Sequence, residues 1–338
     1  LHEHQHSFPT RRSSDLFISN TATAAMMLTF MAPVLRQLPE DDKGRIGLVM
    51  AIPIGANIGG MATPVGTPPN AIALKYLNDP AGLGFNIGFG DWAMVMMPFT
   101  ILLLILAWLL LIKLFPFKDK EIHLNIEGNT VKGPRLVIAY ITLGLTIVLW
   151  LLDKVTGINA NTVAMIPIAI FCVTGLFGKE DLKEINWDVL WLVAGGFALG
   201  IALQNSGLAK NLVEAIPFAE WSPIIVIVGA GLLCWFFSNI ISNTATAALL
   251  VPIMVAVGTG MGSVLEPFGG ILTLILGVTL SASLAMILPV STPPNAIAYS
   301  TGLVDVKYMR TVGIIVGVVG LILAFTMLII IGKAGIML

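Results

Sequence analysis

The sequence predicts an all-helical, polytopic membrane protein built as two inverted repeats, with re-entrant hairpins and broken helices. Three observations predict it. Apolar runs long enough to span a bilayer recur from end to end. Two of these runs are interrupted midway by a Thr-Pro-Pro cluster. Two different polar motifs each occur twice, in the same order and at nearly the same spacing.

Composition sets the class. Of 338 residues, 57% are hydrophobic and only 11% are charged, where soluble domains carry about 25% charge. The 18 basic and 19 acidic residues balance, which argues against nucleic acid as a partner. Cys172 and Cys234 both sit inside apolar runs, without metal spacing or a disulfide framework. Residues 1–16 stand apart: the stretch from His6 to Leu16 resembles a translated sequencing adapter and is read as a non-native leader. His2, His4 and His6 fall in it, outside any apolar run, and are not taken as a metal site. No apolar signal segment with a cleavage site follows its charges.

Taken in order, the apolar runs cover 17–35, 46–77, 92–115, 134–152, 160–178, 187–208, 222–241, 245–260, 266–302 and 311–332. About 20 residues suffice for one crossing, so 46–77 and 266–302 are too long for one straight helix. Each has a Gly/Thr/Pro-Pro cluster near its middle and reads as a broken helix. The runs 222–241 and 245–260 are separated only by Ser242-Asn243-Thr244, with no Lys or Arg to hold the joint at a headgroup. They read as a re-entrant hairpin with its tip at mid-membrane, and 17–35 as the second arm of a similar hairpin. Trp92, Trp187 and Trp191 read as interface anchors, Met94, Met96 and Met97 as lipid- or core-facing filler, and Gly195–Gly200 as a packing stretch.

Charge placement orients these spans. The connections at 36–45, 113–135, 179–186 and 303–310 hold twelve basic residues, from Arg36 to Arg310. The opposite side holds four: Lys75, Lys154, Lys210 and Lys333. The basic side is expected to face the cytoplasm.

The repeat is explicit. Ser19-Asn20-Thr21-Ala22-Thr23-Ala24-Ala25 recurs as Ser242-Asn243-Thr244-Ala245-Thr246-Ala247-Ala248, an offset of 242 − 19 = 223. Thr67-Pro68-Pro69-Asn70-Ala71-Ile72-Ala73 recurs as Thr292-Pro293-Pro294-Asn295-Ala296-Ile297-Ala298, an offset of 292 − 67 = 225. Singly, either motif is an ordinary kink in a membrane helix; duplicated in register, they are not. The first Ser-Asn-Thr arm enters from the basic side and the second from the other, as inverted repeats require. The organisation expected is 17–115 for the rest of the first repeat, 116–133 for a cytoplasmic linker and 134–338 for the second repeat. By repeat symmetry, roughly a hundred residues of spans and the first hairpin arm are expected upstream.

The motifs suit anions. Thr is a good helix N-cap, and Pro is favoured at the first helical position, where its missing N–H costs nothing. Thr67 and Thr292 therefore start half-helices, and Asn20-Thr21 and Asn243-Thr244 start Ala-rich arms. Four helix N-termini brought together present free N–H groups and partial positive charge, an anion site without Lys or Arg. Carbonyls freed at the breaks, with Ser and Asn oxygens, suit Na⁺. Proton coupling would call for an acidic or His relay within the spans, and the acidic residues lie in loops, at span ends or in the leader. An intramembrane enzyme lacks its base, because His123 is in the 113–135 loop.

On these residues, the chain resembles the divalent anion/sodium symporter family over about 17–338. The resemblance is carried by both Ser-Asn-Thr motifs, Gly66-Thr67-Pro68-Pro69-Asn70 and Ser291-Thr292-Pro293-Pro294-Asn295. It implies a homodimer with scaffold and transport domains in the cell inner membrane, moving dicarboxylates, tricarboxylates or sulfate by an elevator motion. It also implies substrate contacts from Asn20, Thr21, Thr67, Pro68, Asn243, Thr244, Thr292 and Pro293. One sodium site would use Ser19, Asn20 and the carbonyl of Gly66. The other would use Ser238, Asn243 and carbonyls near Ile241 and Ser291. Two intact Asn-Thr pairs resemble the carboxylate members more than the sulfate members. The residue equivalent to Ser238 four places before Ser19 is Asp15, in the leader, so the first site departs from the family pattern at that ligand. A sodium-independent exchanger, a channel-like anion carrier and related arsenite, citrate–metal or Na⁺/H⁺ carriers are the alternatives. Cation exchange would call for a buried Asp near a break.

Overall fold

The computed structural model describes residues 20–118, 133–158, 160–183 and 221–335, with residues 187, 190–191, 194–195, 198, 201–202, 205–207 and 211 between them. Every regular element among them is helical. Among the described residues five helices are long and apolar enough to cross a membrane, and the chain is a multi-pass membrane protein. The expected span at 187–208 lies largely outside the described residues, as does much of the glycine stretch at 195–200. Trp187 and Trp191 are exposed.

Two packed units are distinguished. The smaller lies within residues 127–185 and holds α5 (Pro134–Leu151) and α6 (Ala160–Val173). These pack on each other, pinned where the Trp150 indole donates to the Ala160 carbonyl at 3.0 Å. Ala139, Phe171 and Leu176 form their small core.

The larger unit contains α1 (Asn20–Gln37), α2 (Lys43–Gly60), α3 (Pro68–Leu77), α4 (Phe89–Leu114), α7 (Pro223–Ile240), α8 (Asn243–Met261), α9 (Gly270–Ser283), α10 (Pro293–Ser300) and α11 (Val306–Lys333). Both long runs are broken as expected, 46–77 into α2 and α3 and 266–302 into α9 and α10. Pro at the first position starts α3 and α10, where a residue without N–H removes no helical bond. α9 is buried on all sides from Leu272 to Ser283, as expected of a helix apolar all round. Its 14 residues reach only about 21 Å, short of a bilayer core of about 30 Å. α11 approaches the second break closely because it carries glycine there. A Cβ at Gly313 would lie 2.6 Å from the Met286 carbonyl, and one at Gly317 would lie 2.9 Å from the Trp235 indole nitrogen.

The repeats interlock reciprocally. α1 packs on α10, and its counterpart α8 packs on α3; α2 packs on α10, and its counterpart α9 packs on α3. Such exchange is the pattern two copies make about a two-fold axis.

Three of the basic connections meet at one end of this unit. Asp42 caps α2 by accepting from Gly44 N at 2.7 Å and also accepts from Lys118 N at 3.2 Å. Phe115 and Tyr308 meet edge to face at 5.5 Å. Asp41 pairs with Lys118, whose hydrogen bond and charge hold the Asp41 carboxyl below its ordinary range.

One reading needs correction. Trp92 is fully buried and its indole donates to the Met61 carbonyl at 3.0 Å. It is a core residue holding the first break rather than an interface anchor, because an unwound backbone leaves carbonyls that need donors inside the protein. Of the neighbouring methionines, Met96 is buried, while Met94 and Met97 are exposed.

Candidate functional site

The hairpin joint is tighter than the motif suggests. α7 ends at Ile240, α8 begins at Asn243, and only Ile241 and Ser242 lie between. Ser242 is the N-cap, accepting from Ala245 N at 3.2 Å. This tip touches the second break at three points. The Ser238 hydroxyl lies 3.0 Å from the Ala282 carbonyl, Ile287 N donates to Asn239 Oδ1 at 2.9 Å, and the Ser291 hydroxyl donates to the Asn239 carbonyl at 3.0 Å. The tip therefore sits where α9, too short to cross alone, comes to its end.

Each break is shaped by the Asn of its Thr-Pro-Pro-Asn motif. Asn70 Nδ2 donates to the carbonyls of Gly60 (3.1 Å) and Thr63 (2.8 Å). Asn295 Nδ2 donates to those of Met286 (2.9 Å) and Leu288 (3.1 Å). A side-chain amide thus replaces the helical donors that the unwound backbone has lost.

Two oxygen clusters follow, one per repeat. In the first, the Asn20 side chain lies 3.0 Å from the Gly66 carbonyl and 3.1 Å from that of Ala56. With its nitrogen toward them it donates to both; with its oxygen toward them, three oxygens face a common point, as a hard cation prefers. In the second, the Ser238 hydroxyl lies 2.8 Å from Asn243 Oδ1 and 3.0 Å from the Ala282 carbonyl. The hydroxyl has one proton for two acceptors, so one oxygen pair is left without hydrogen. Glycine is required at the first cluster. A Cβ at Gly66 would lie 2.4 Å from the Gly60 carbonyl, and one at Gly60 would lie 2.7 Å from the Asn20 amide.

The helix N-termini are tied to these clusters. Asn20 starts α1 and contacts Ala56; the next residue, Asn57, donates to Thr292 and Asn295 at the start of α10. Gly66 adjoins Thr67 at the start of α3, and Asn243 starts α8. Thr67 and Thr292 are buried, with Thr292 capping α10 through Asn295 N at 3.3 Å while Thr67 makes no side-chain cap. Asn20, Thr21, Pro68, Asn243 and Thr244 are half-buried, and Pro293 is exposed. Ser19 lies outside the described residues. Ser291 reaches the hairpin through its side chain, also accepting from Leu288 N at 3.1 Å. The Ile241 side chain is exposed, and its N–H bonds to the Phe237 carbonyl at 2.9 Å.

Sequence reasoning missed Ala56, Asn57, Asn239 and Ala282. Asn57 and Asn239 carried a signal, since an amide inside an apolar run needs a partner. The alanines contribute carbonyls, which every residue has, and carried none. Elsewhere, a cleft of about 470 Å³ between α7 and α11 is lined mainly by apolar residues such as Leu232, Trp235 and Phe325. It offers little to an ion.

Helices broken around paired Asn–oxygen clusters, inside a membrane-spanning bundle, define a membrane transporter of the broken-helix kind rather than an enzyme. The chain belongs to the citrate transporter family, whose model matches residues 16–274. It is 33% identical over 334 residues to an uncharacterized transporter of Haemophilus influenzae, covering 92% of this chain and 69% of that protein. It is 30% identical over 366 residues to the sodium-dependent high-affinity dicarboxylate transporter 3 of Caenorhabditis elegans, covering 91% of this chain and 63% of the other. It is also 30% identical over 329 residues to a low-affinity phosphate transporter of Saccharomyces cerevisiae, covering 94% and 36%. The chain thus spans between about a third and two thirds of these relatives' lengths.

Proposed function

We propose that this protein is a sodium-coupled secondary transporter of small divalent anions, C4-dicarboxylates such as succinate or tricarboxylates. The observation that carries the reading is the pair of Asn–oxygen clusters, one per repeat, each beside the start of a half-helix. Asn20 with Gly66, Ala56 and Ser19 would hold one Na⁺; Ser238 and Asn243, with the Ala282 carbonyl and those near Ile241 and Ser291, would hold the other. The anion would lie against Asn20, Thr21, Thr67, Pro68, Asn243, Thr244, Thr292 and Pro293. Helix ends and the two bound cations supply the positive charge there. An elevator motion of a homodimer in the cell inner membrane completes the reading.

The sodium-dependent dicarboxylate relative supports both coupling and substrate. The phosphate relative at equal identity favours a second reading, an inorganic oxyanion in the same site. Uptake of radiolabelled succinate, citrate and phosphate into proteoliposomes of the full-length protein, with and without an inward Na⁺ gradient, decides between them. Sodium-driven succinate or citrate uptake supports the first reading, and phosphate uptake alone supports the second. Accumulation indifferent to sodium overturns coupling and leaves an exchanger or channel-like carrier.

A further inference from the structure

A fixed chain of hydrogen bonds orients one hydroxyl at the second break. The carbonyls of Met286 and Leu288 only accept, so the Asn295 amide must turn its nitrogen to them. Its Oδ1 then faces Asn57, which must turn its own nitrogen that way, at 3.2 Å. The second hydrogen of the same nitrogen goes to Thr292 Oγ1 at 3.1 Å. Asn295 N also donates to that oxygen, at 3.3 Å. Both acceptor positions of the Thr292 hydroxyl are thus filled, and its proton has no acceptor among the described residues. Asn57 itself is 2% exposed, so no solvent competes for its two donors.

The first repeat lacks this device. With the offset of 225 that relates Thr67 to Thr292, the place of Asn57 is taken by Ala282 (57 + 225 = 282). Accordingly Asn70 Oδ1, the counterpart of the oxygen that Asn57 meets, is buried without a partner, and Thr67 makes no side-chain cap. The two threonines are chemically unequal despite identical motifs.

We infer that Asn57 is a positioning residue that makes the Thr292 hydroxyl donate only, so that the second-repeat end of the site accepts an ionised oxygen and the first-repeat end is less demanding. The inference rests on the anion-transport reading above. A donor-only hydroxyl meets a carboxylate or phosphate oxygen without reorienting, whereas a free one populates accepting orientations as well.

The test measures initial uptake by the full-length protein for Asn57→Ala, Thr292→Val and the double variant, using the anion that the native protein carries best. Asn57→Ala is expected to raise KM about ten-fold, with the maximal rate and the sodium half-saturation within about two-fold. In the Thr292→Val background, Asn57→Ala is expected to change KM less than about two-fold, because its route of action is gone. If Asn57→Ala fails to fold, Asn57→Leu, of similar volume, replaces it. A loss of maximal rate at unchanged KM, or an equal effect with and without the Thr292 hydroxyl, overturns the inference while leaving transport intact. A native protein that carries no anion overturns the functional reading and the inference with it.

Discussion

The hydroxyl of Ser238 lies 2.8 Å from Oδ1 of Asn243, across a turn of only two residues. The last turn of one helix and the first residue of the next thus share an oxygen pair, and the Ala282 carbonyl is 3.0 Å from the same hydroxyl. If this group holds Na⁺, its two side chains separate in their effects. Asn243→Ala is expected to abolish uptake with expression retained, since it removes both a cation ligand and an anion contact. Ser238→Ala removes one ligand and is expected to raise the sodium half-saturation about ten-fold, the equivalent of ~1.4 kcal/mol. Sodium-driven uptake at the native level by Asn243→Ala would sink the assigned site.

Glycine at the first break is a matter of room. Gly66→Ala would place a Cβ 2.4 Å from the Gly60 carbonyl, a backbone atom. It is expected to destabilise the protein by about 2 kcal/mol or more and to stop uptake. Gly59, one residue before Gly60 in α2, has nothing within 4 Å of its ideal Cβ. Gly59→Ala is expected to be neutral or stabilising by about 0.5–1 kcal/mol. Thermal unfolding of the two variants in detergent checks the contrast, and equal melting temperatures would refute it.

Trp92→Phe keeps an aromatic ring but loses the pyrrole part of the buried indole, and with it the donor to the Met61 carbonyl. Leaving that buried carbonyl unpaired is expected to cost about 1–3 kcal/mol. A melting temperature equal to that of the native protein would mean that the carbonyl finds another donor.

At the loop end, Asp42 serves both as N-cap and as acceptor for Lys118 N. Asp42→Ala is expected to cost about 1–2 kcal/mol, lowering the melting temperature without changing sodium affinity. The neighbouring Asp41–Lys118 pair is exposed and is expected to contribute little. Because Lys118 depresses the Asp41 carboxyl, what it contributes is present above the ordinary carboxylate range. It is lost as pH falls through the depressed value. Asp41→Asn should therefore differ from the native protein only slightly at neutral pH and not at all in strong acid; a difference that grows on acidification would contradict the pairing.

Wherever a local rule was enough, the sequence by itself determined the outcome. Runs too long for one crossing had to break, and Thr-Pro-Pro marked where α3 and α10 begin, because proline at a first helical position loses no bond. The duplicated motifs marked two like breaks, each shaped by the Asn of its Thr-Pro-Pro-Asn. The tertiary structure decided what answers the groups that the breaks leave open. Trp92 has the composition of an interface anchor, yet it serves Met61, and Asn57 serves Thr292 and Asn295 more than 230 residues away. Ala56 and Ala282 join the two oxygen clusters through backbone carbonyls. A carbonyl belongs to every residue, and a long-range partner is fixed only when the repeats interlock, so neither could be read from side-chain identity along the chain.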